Sequence, residues 1–232
     1  MIDIVTINKD NKDGLEKTIL SVINQTAFDQ INYIIIDGGS TDGSKEIIKK
    51  YKKYFGWSTS RKDKGIHNAM NKSLSHLKGE YVLFLNSGDY LVSNNVISNA
   101  LKYLHNEIII YGNEAFRYKQ KRIGSLTREI SYTDVLKPKY YPFVLSEEFF
   151  RTNALPHQST FIKTEYQKEH PYSESYKIIG DWIMLREAIL EEKVSYKHIP
   201  LMVASYDMYG VSSQNPDLIR EEQNDYYKSK DK

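Results

Sequence analysis

The sequence predicts an α/β fold, with a mostly parallel central sheet and helices on both faces. Over residues 1–112, apolar runs of strand length alternate with segments whose apolar residues recur at helical spacing. Turn signals rich in glycine, serine and aspartate separate the two kinds of segment. Strands and helices that alternate in this way build βαβ units, in which consecutive strands run parallel.

The first 112 residues predict five strands and four helices. Each strand is a compact apolar run, and the five lie at residues 2–8, 31–37, near Trp57, 80–86 and 108–112. The helices carry apolar residues three and four positions apart, at residues 15–23, 47–54, 66–77 and 96–104. Ser40 or Thr41 is expected to cap the second helix, and Gly79 to end the third.

The pattern becomes irregular after residue 112, and we expect a mixed α+β half there. Residues 114–126 predict a hairpin that turns at residues 119–121, and residues 132–154 show no period, which is typical of a mobile flap. The later elements are predicted as a strand at 157–163, a helix at 180–190, a strand pair or hairpin at 194–206, and a terminal helix at 217–227 before a frayed lysine-rich end. No repeat or linker interrupts the chain, so we predict a single domain over residues 1–232.

The composition excludes several classes of protein. With no cysteine, the chain has no disulfide framework, thiolate metal site or thiol nucleophile. Lys and Arg total 32 against 30 Asp and Glu, and this balance argues against a nucleic-acid binder. No run approaches the roughly 18 apolar residues that span a bilayer, and the N-terminus lacks the basic region of a signal peptide. We therefore expect a cytoplasmic protein.

Polar residues follow three of the predicted strands where each strand ends. They include Thr6 and Asn8 after the first strand, the sequence DGGSTDG at residues 37–43, and NSGD at residues 86–89. In an open parallel sheet, ligands bind at the carboxyl ends of the strands. We therefore expect these three clusters to converge on one edge of the sheet.

The segment DGGSTDG has two interpretations. The carboxylate of Asp37 is suited to accept hydrogen bonds from a nucleobase or a ribose hydroxyl, and glycines such as Gly39 permit a close approach of the backbone. Alternatively, the segment is simply a tight turn into a capped helix. It is neither a dinucleotide fingerprint nor a phosphate-binding P-loop, because the sequence has no GxGxxG there and no GKS or GKT.

The segment NSGD is suited to hold a hard divalent cation through Asp89, or else forms an ordinary Asx turn. With one carboxylate, the protein would leave most of the coordination to substrate phosphates. The segment RKDKGI at residues 61–66 precedes a helix and suits a phosphate or ribose, although a solvated loop is an equal alternative. His157 is a structural histidine or a ligand, and Asp181 is a helix cap or a general base.

The chain contains 19 tyrosines, an unusual number. Aromatic rings pack on the C–H faces of sugars, although core packing explains these residues about as well. Among those in the irregular half are Tyr132, Tyr140, Tyr141, Tyr172 and Tyr176.

Taken together, these segments resemble the glycosyltransferase family 2 enzymes, which have the GT-A fold. Each segment alone is weak, but the ordered set is specific and spans about residues 1–213. The matching stretches are VTIN at 5–8, IIDGGSTDG at 35–43, DKGIHNAMNK at 63–72, FLNSGD at 84–89, PHQSTF at 156–161, GDW at 180–182 and YGVS at 209–212.

The resemblance implies a Rossmann-like sheet and the transfer of a sugar from a nucleotide-diphosphate sugar to an acceptor hydroxyl, with inversion at the anomeric carbon. It implies a nucleotide-sugar-binding half at residues 1–112, an acceptor and catalytic-base half at 113–213, and a C-terminal helix and tail at 214–232. Asp181 matches the family's catalytic base. Asp89 matches the residue that meets Mn²⁺ or Mg²⁺, and His157 is a further candidate for the metal or the diphosphate. The remaining matched positions are implied to bind the nucleotide: Thr6, Asn8, Asp37, Gly39, Asp63, Gly65, Asn68, Asn86, Ser87 and Gly88.

The sequence departs from the family pattern at two glycines. The D-x-D element reads NSGD, so Gly88 replaces the acid that usually contacts the ribose. Gly180 likewise stands where an acid often precedes the catalytic base. Relatives with NSGD are generally regarded as active transferases of surface-polysaccharide synthesis. The resemblance therefore implies capsule, O-antigen or exopolysaccharide assembly, with a saccharide or lipid-linked saccharide acceptor and a possible peripheral membrane contact.

Two other functions remain open from the sequence. A sugar-phosphate nucleotidyltransferase shares a similar front half, but it needs a glycine-rich basic loop after the first strand, where this chain has NKDNKDG with one glycine at residues 8–14. A non-catalytic nucleotide-sugar-binding protein is the second alternative, suggested by Gly88 and the single carboxylate of the turn.

Overall fold

The computed structural model describes residues 1–123 and 130–230. Within these residues, nine strands form one sheet. The strands are β1 (Ile2–Asn8), β2 (Ile31–Asp37), β3 (Trp57–Ser60), β4 (Tyr81–Phe84), β5 (Tyr90–Leu91), β6 (Ile109–Ile123), β7 (Ile130–Lys139), β8 (Thr160–Lys163) and β9 (Tyr196–Asp207).

The helices of the described residues alternate with these strands in the front half and cluster in the back half. They are α1 (Lys12–Ile23), α2 (Ser44–Tyr51), α3 (Ile66–Lys72), α4 (Val96–Ala100), α5 (Glu147–Thr152), α6 (Thr164–Glu169), α7 (Gly180–Arg186), α8 (Val211–Gln214) and α9 (Pro216–Lys230). A π-helical turn over Glu187–Glu191 extends α7, and a 3₁₀ turn over His157–Ser159 leads into β8. No helix in the described part of the chain is long and apolar enough to cross a bilayer.

The strand order is β3-β2-β1-β4-β8-β6-β9-β5, with β7 paired to the outer part of β6. Strands β3, β2, β1 and β4 run parallel, as the alternation of strands and helices predicts. Strand β8 is antiparallel to both β4 and β6, whereas β6 and β9 are parallel. The predicted α/β class and parallel core are therefore confirmed, and the back half adds a mixed extension to the same sheet.

The sheet is buried on both faces because two hydrophobic clusters cover it. All seven residues of β1 are buried. Along β1, Ile2 and Ile4 join the cluster beneath α1, α2 and α4, whereas Val5 and Ile7 join the cluster that contains residues of α3 and α7. Side chains alternate between the faces of a strand, so a strand covered on both sides reads as one continuous apolar run.

Two predicted helix ends differ from the structure. The N-cap of α2 is Gly43, at φ +98°, rather than Ser40 or Thr41. Ser40 is instead recruited by Asp37, to which its hydroxyl and its backbone N–H both donate. Helix α3 ends at Lys72, before a 3₁₀ turn and well ahead of Gly79.

The predictions for the back half need three corrections. Residues 119–121 form no turn, because β6 continues through them in antiparallel register with β7. The segment that joins β6 to β7 contains Leu126 and lies outside the described residues. The expected flap at 132–154 contains strand β7 and helix α5, and residues 196–207 form one strand with a register shift, not a pair. Of the predicted frayed end, residues 231–232 also lie outside the described residues.

Candidate active site

The carboxyl ends of β1, β2 and β4 meet at one edge of the sheet, beside a cavity of about 590 Å³. This volume is in the usual range for a small-molecule site. Seven predicted site residues line the cavity: Asn8, Asp63, Gly65, Asn86, Ser87, Asp89 and His157. Five others lie outside its wall, namely Thr6, Asp37, Gly39, Asn68 and Gly88, while Asp181 lines a second cavity of about 200 Å³.

Asp37 is fully buried and its carboxylate accepts four hydrogen bonds from the protein. The donors are Asn8 Nδ2 at 2.7 Å, the backbone N–H of Ser40 at 2.9 Å, and the hydroxyls of Ser40 and Ser60 at 2.5 Å each. Burial alone would raise the pKa of Asp37, but these donors lower it. Asp37 therefore organises the end of β2 and orients Asn8, whose buried Oδ1 accepts no hydrogen bond from the described residues.

The other predicted residues behind the cavity wall also support its shape. The hydroxyls of Thr6 and Tyr33 lie 3.1 Å apart in the core. Gly39 has φ +77°, and a Cβ there would lie 3.0 Å from the backbone nitrogen of Lys62, so glycine lets the loop before α3 pack closely. Asn68 accepts from the backbone N–H of Lys64 at 3.1 Å and fixes the same loop. This loop carries Asp63 and Gly65 to the cavity.

The NSGD turn requires glycine at position 88. Gly88 has φ +105°, a region that side chains rarely adopt. A Cβ there would lie 3.1 Å from Oδ2 of Asp207 and 3.3 Å from Nδ2 of Asn11. The space that an acidic side chain would need is therefore taken by Asp207, at the end of β9, which lines the cavity itself.

Asp89 and Asp207 are linked through the backbone and through Arg117. The N–H of Asp207 donates to Asp89 Oδ1 at 2.8 Å, and Arg117 contacts Asp207 Oδ2 at 2.6 Å while donating to the carbonyl of Gly88 at 3.0 Å. Burial raises the pKa of Asp89 to about 7, and the neighbouring carboxylates of Glu114 and Asp207 act in the same direction. A bound cation would favour the ionised form of this carboxylate.

Asp181 is held between two histidines. Its Oδ2 lies 2.9 Å from His157 Nδ1, and its Oδ1 lies 3.9 Å from His67 Nε2. Burial alone would raise the pKa of Asp181, but the hydrogen bond with His157 and the nearby His67 hold it well below its usual value. The same contact raises the pKa of His157 against the effect of burial. Asp181 is the second residue of α7 and its cap is Ile179, so it is not the N-cap.

His157 joins the two cavities. Its ring lines both, and its Nε2 lies 3.0 Å from Asn86 Nδ2. Both ring nitrogens are therefore engaged by protein groups, which leaves neither one open toward a metal in this arrangement. Because a carboxylate only accepts, Nδ1 carries the proton that faces Asp181.

The glycine before the base has a steric reason. A Cβ on Gly180 would lie 2.7 Å from the carbonyl oxygen of Ser173 and 2.9 Å from the ring of His67. No acidic side chain fits at this position. The departure from the family pattern therefore lets His67 approach the base.

Sequence reasoning missed three residues that build the site, namely His67, Asp207 and Glu222. Glu222 on α9 accepts the backbone N–H groups of residues 177–179, at 2.7, 3.0 and 3.2 Å, and so fixes the loop that begins α7. Asp207 is the last residue of β9, just as Asp37 is the last residue of β2, and the strand-end rule applied to Asp37 would have found it. His67 lies inside a matched motif, but nothing local indicates its contact with Asp181.

The parallel sheet with a cavity at its carboxyl edge is the arrangement expected of a GT-A glycosyltransferase. The chain belongs to the family described as "Glycosyl transferase family 2", whose sequence pattern matches residues 2–191. This membership makes the chain a glycosyltransferase rather than a sugar-phosphate nucleotidyltransferase.

Two relatives that are named as glycosyltransferases agree with this assignment. An uncharacterized glycosyltransferase of Mycobacterium tuberculosis is 28% identical over 214 residues, which cover 91% of this chain and 77% of the relative. A PGL/p-HBAD biosynthesis glycosyltransferase of Mycobacterium bovis is 23% identical over 197 residues, 82% of this chain and 70% of the relative.

Two solved structures share the fold. TarS of S. aureus in complex with UDP has a TM-score of 0.68 and 16% identity, over 89% of this chain and 60% of that chain. The mannosyltransferase PcManGT of Pyrobaculum calidifontis, solved with GDP-Man and Mn²⁺, has a TM-score of 0.64 and 14% identity, over 88% and 56%. The chain thus spans about 60% of the length of the solved TarS chain.

Proposed function

We propose that this protein is an inverting glycosyltransferase that moves a sugar from a nucleotide-diphosphate sugar to an acceptor hydroxyl, with Asp181 as the general base. The observation that carries the proposal is the position of His157 between two cavities. Asn86 and Asp89 line the larger cavity, and Asp181 lines the smaller one. This separation of the two cavities supports a donor bound on one side of the anomeric carbon and a general base on the other side.

Asp181 is suited to take the proton of the acceptor hydroxyl. Because its pKa lies well below the usual value, the carboxylate is ionised at neutral pH. The N–H of His157 and the backbone N–H of Trp182 fix its orientation. As the acceptor oxygen bonds to the anomeric carbon its proton becomes acidic, so even a weak base accepts it. General-base assistance of this kind contributes on the order of 100- to 10,000-fold to the rate.

The oxygen ligands in the larger cavity fit a hard divalent cation such as Mn²⁺ or Mg²⁺. Asp89 and Asp207 supply carboxylates beside the buried Oδ1 of Asn86, which has no hydrogen-bond partner among the described residues. No cluster of three His, Asp or Glu side chains converges at metal-ligand spacing within residues 1–123 and 130–230, so donor phosphates would complete the coordination. When bound, the cation would stabilise the negative charge on the departing diphosphate.

The nucleotide would contact Asn8, Asp63 and Gly65 in the larger cavity, with the turn at residues 86–89 beside its diphosphate. Asn8 at the end of β1 and Asn11 at the cap of α1 both lie at this wall. Thr6, Asp37, Gly39, Asn68 and Gly88 would act by shaping that wall. The solved relatives with UDP and GDP-Man make UDP-sugars and GDP-sugars the first donors to test.

The wider role follows from the resemblance of the motifs. We propose that residues 1–112 bind the donor, residues 113–213 bind the acceptor and carry the base, and residues 214–232 form a supporting helix and tail. Capsule, O-antigen or exopolysaccharide assembly is the proposed pathway. The acceptor would be a saccharide or lipid-linked saccharide, met in the cytoplasm or at the inner face of the membrane.

The central experiment replaces the base. Asp181→Asn keeps the size of the side chain and removes its basicity, so we expect turnover to fall about 100- to 10,000-fold. Binding of the nucleoside diphosphate, measured by calorimetry, should stay unchanged because Asp181 lines the other cavity. Asp217→Asn, at an exposed position on α9, is the matched control. Wild-type turnover in Asp181→Asn would remove this residue from the base role.

The role of the cation has a separate test. Asp89→Ala should weaken the binding of a nucleoside diphosphate in the presence of Mn²⁺ and leave metal-free binding nearly unaltered. Calorimetry with and without Mn²⁺ on the wild type and the variant measures both. Equal affinity of the wild type with and without the ion would defeat the metal role while leaving the base role intact.

A further inference from the structure

The two-stranded ribbon of β6 and β7 has two different faces. Side chains alternate along each strand, and the register pairs Glu114 with Lys139, Phe116 with Lys137 and Tyr118 with Val135 on one face. On the other face, Arg117 is paired with Asp207, and Asp134 with Lys17 of α1. We define the aromatic–lysine face by Phe116, Tyr118, Lys137, Lys139 and the adjoining Tyr141.

Rings and ammonium groups alternate along this face. The Nζ of Lys139 lies 5.1 Å from the ring centre of Phe116 and 4.9 Å from that of Tyr141. The Nζ of Lys137 lies 5.2 Å from the ring centre of Tyr118. Cations at these distances are attracted by the ring faces. The lysines are thus held against the ribbon with their charge beside aromatic surface.

The aromatic–lysine face begins beside Asp181. Phe116, Lys139 and Tyr141 line the smaller cavity together with Asp181, while Tyr118 and Lys137 lie further out along the ribbon. A chain-like ligand whose end reaches Asp181 would therefore lie along this face. A single sugar would fill the cavity without reaching Tyr118.

The two lysines of this face form no close ion pair with the described residues. Neither Lys137 nor Lys139 has a carboxylate of the described residues within ion-pair distance, although Lys17 and Arg117 do. The nearest acid, Glu114, is engaged by the hydroxyl of Tyr141 and the side-chain amide of Gln158. Burial lowers the pKa of Lys139, while the nearby charge of Glu114 acts in the opposite direction.

We propose that the aromatic–lysine face binds the acceptor, and that the acceptor is an acidic glycan that carries carboxylates along a saccharide chain. Aromatic rings stack on the C–H faces of sugars, and the two ammonium groups pair with successive carboxylates. This inference rests on the proposed function, because it extends from the cavity that contains Asp181.

The test measures binding of oligogalacturonate and of a neutral maltooligosaccharide of the same length, by NMR shifts of backbone amides and by calorimetry. We expect the acidic oligomer to bind more tightly and to shift the amides of residues 114–118, 135–137 and 139–141. Lys137→Gln combined with Lys139→Gln should weaken its binding about fivefold to tenfold, from the strength of two solvated ion pairs. The double variant Lys45→Gln with Lys49→Gln on exposed positions of α2 changes the net charge equally and should bind like the wild type.

A second pair of variants tests the stacking. Tyr118→Phe keeps the ring and should bind as the wild type, whereas Tyr118→Ala should lose several-fold in affinity, as expected when one stacking ring is removed. Equal binding of acidic and neutral oligomers, or an unchanged affinity in the ribbon lysine variant, would overturn the proposal. The proposal would also fail if the ribbon lysine variant lost its adsorption to phosphatidylglycerol vesicles but kept its binding of the acidic oligomer. That result would assign the face to membrane contact.

Nucleotide binding separates this inference from the proposed function. A thermal-shift measurement with UDP, GDP and Mn²⁺ reports the donor site alone, through stabilisation of the folded state by the ligand. If the wild type and the ribbon variants all bind nucleotide but fail the oligomer tests, only the acidic-acceptor inference falls. If no nucleotide binds the wild type, the proposed transferase falls, whatever the oligomers do.

Discussion

Gly88 offers a sharp test of how the cavity is built. Replacing it with alanine forces a side chain into φ +105°, which costs about 1–2 kcal/mol, and places a Cβ 3.1 Å from Asp207 Oδ2. Asp207 is held by Arg117 at 2.6 Å and by its own N–H bond to Asp89, so it cannot retreat freely. Crowding should add about 1 kcal/mol, and the free energy of unfolding should fall by about 2–3 kcal/mol in total.

A double-mutant cycle isolates the crowding from the backbone strain. Urea unfolding of Gly88→Ala, Asp207→Ala and the double variant should give a coupling of about 1 kcal/mol, because the crowding disappears once Asp207 is shortened. Gly65 is the control, since it has φ +134° and a Cβ at this position would meet no atom within 4 Å. Gly65→Ala and Asp207→Ala should therefore be additive. Additive energies in the Gly88 cycle would refute the claim that Asp207 fills the place of the missing acid.

Three further predictions concern residues in the site or behind it. Asp37→Asn should destabilise the protein by about 2–3 kcal/mol at pH 7. Folding lowers the pKa of Asp37 below 3.8, so the ionised carboxylate stabilises the folded state above that pH, and this stabilisation is lost as the pH falls through the folded pKa. The difference in unfolding free energy between wild type and variant, measured in urea, should therefore be smaller at pH 3 than at pH 7. An equal difference at both pH values would contradict this. Glu222→Gln should loosen the loop before α7 and so lower kcat about tenfold at an unchanged nucleotide Kd. The control Glu221→Gln, at an exposed position, should leave both kcat and Kd unchanged. His157→Gln, which keeps a donor toward Asp181, should retain more of kcat than His157→Ala, and equal losses would show that this hydrogen bond does not position the base.

The fold of the front half was predictable because its strands are buried on both faces. A run such as residues 34–36, which is isoleucine throughout, has few alternatives to a core strand. The back half was harder because β6 leaves the core. Residues 119–121 are polar and exposed at the outer end of the ribbon, so their composition resembles a turn although they are paired with β7. A solvated ribbon and a turn share the same amino acids, and only pairing distinguishes them.

The candidate site was predictable where its residues follow strands, and much less so where they act through distant partners. Asn8 and Asp89 lie at the cavity because strand ends converge in a parallel sheet. In contrast, Asp37 of β2 accepts hydrogen bonds from residues of β1 and β3, and these contacts depend on how the three strands pack. The crowding around Gly88 likewise comes from Asp207, whose position no local motif specifies.

The contact between Glu222 and residues 177–179 has a consequence for the order in which the enzyme matures. Every strand of the sheet leaves the ribosome before α9 does, so we expect the nucleotide pocket to assemble while the loop before α7 still lacks its anchor. A nascent chain, or one cut before α9, would then form the larger cavity while the loop that leads to Asp181 is still unanchored. Helix α9 would thereby act as a checkpoint that delays the ordering of this loop until the chain beyond the sheet has folded.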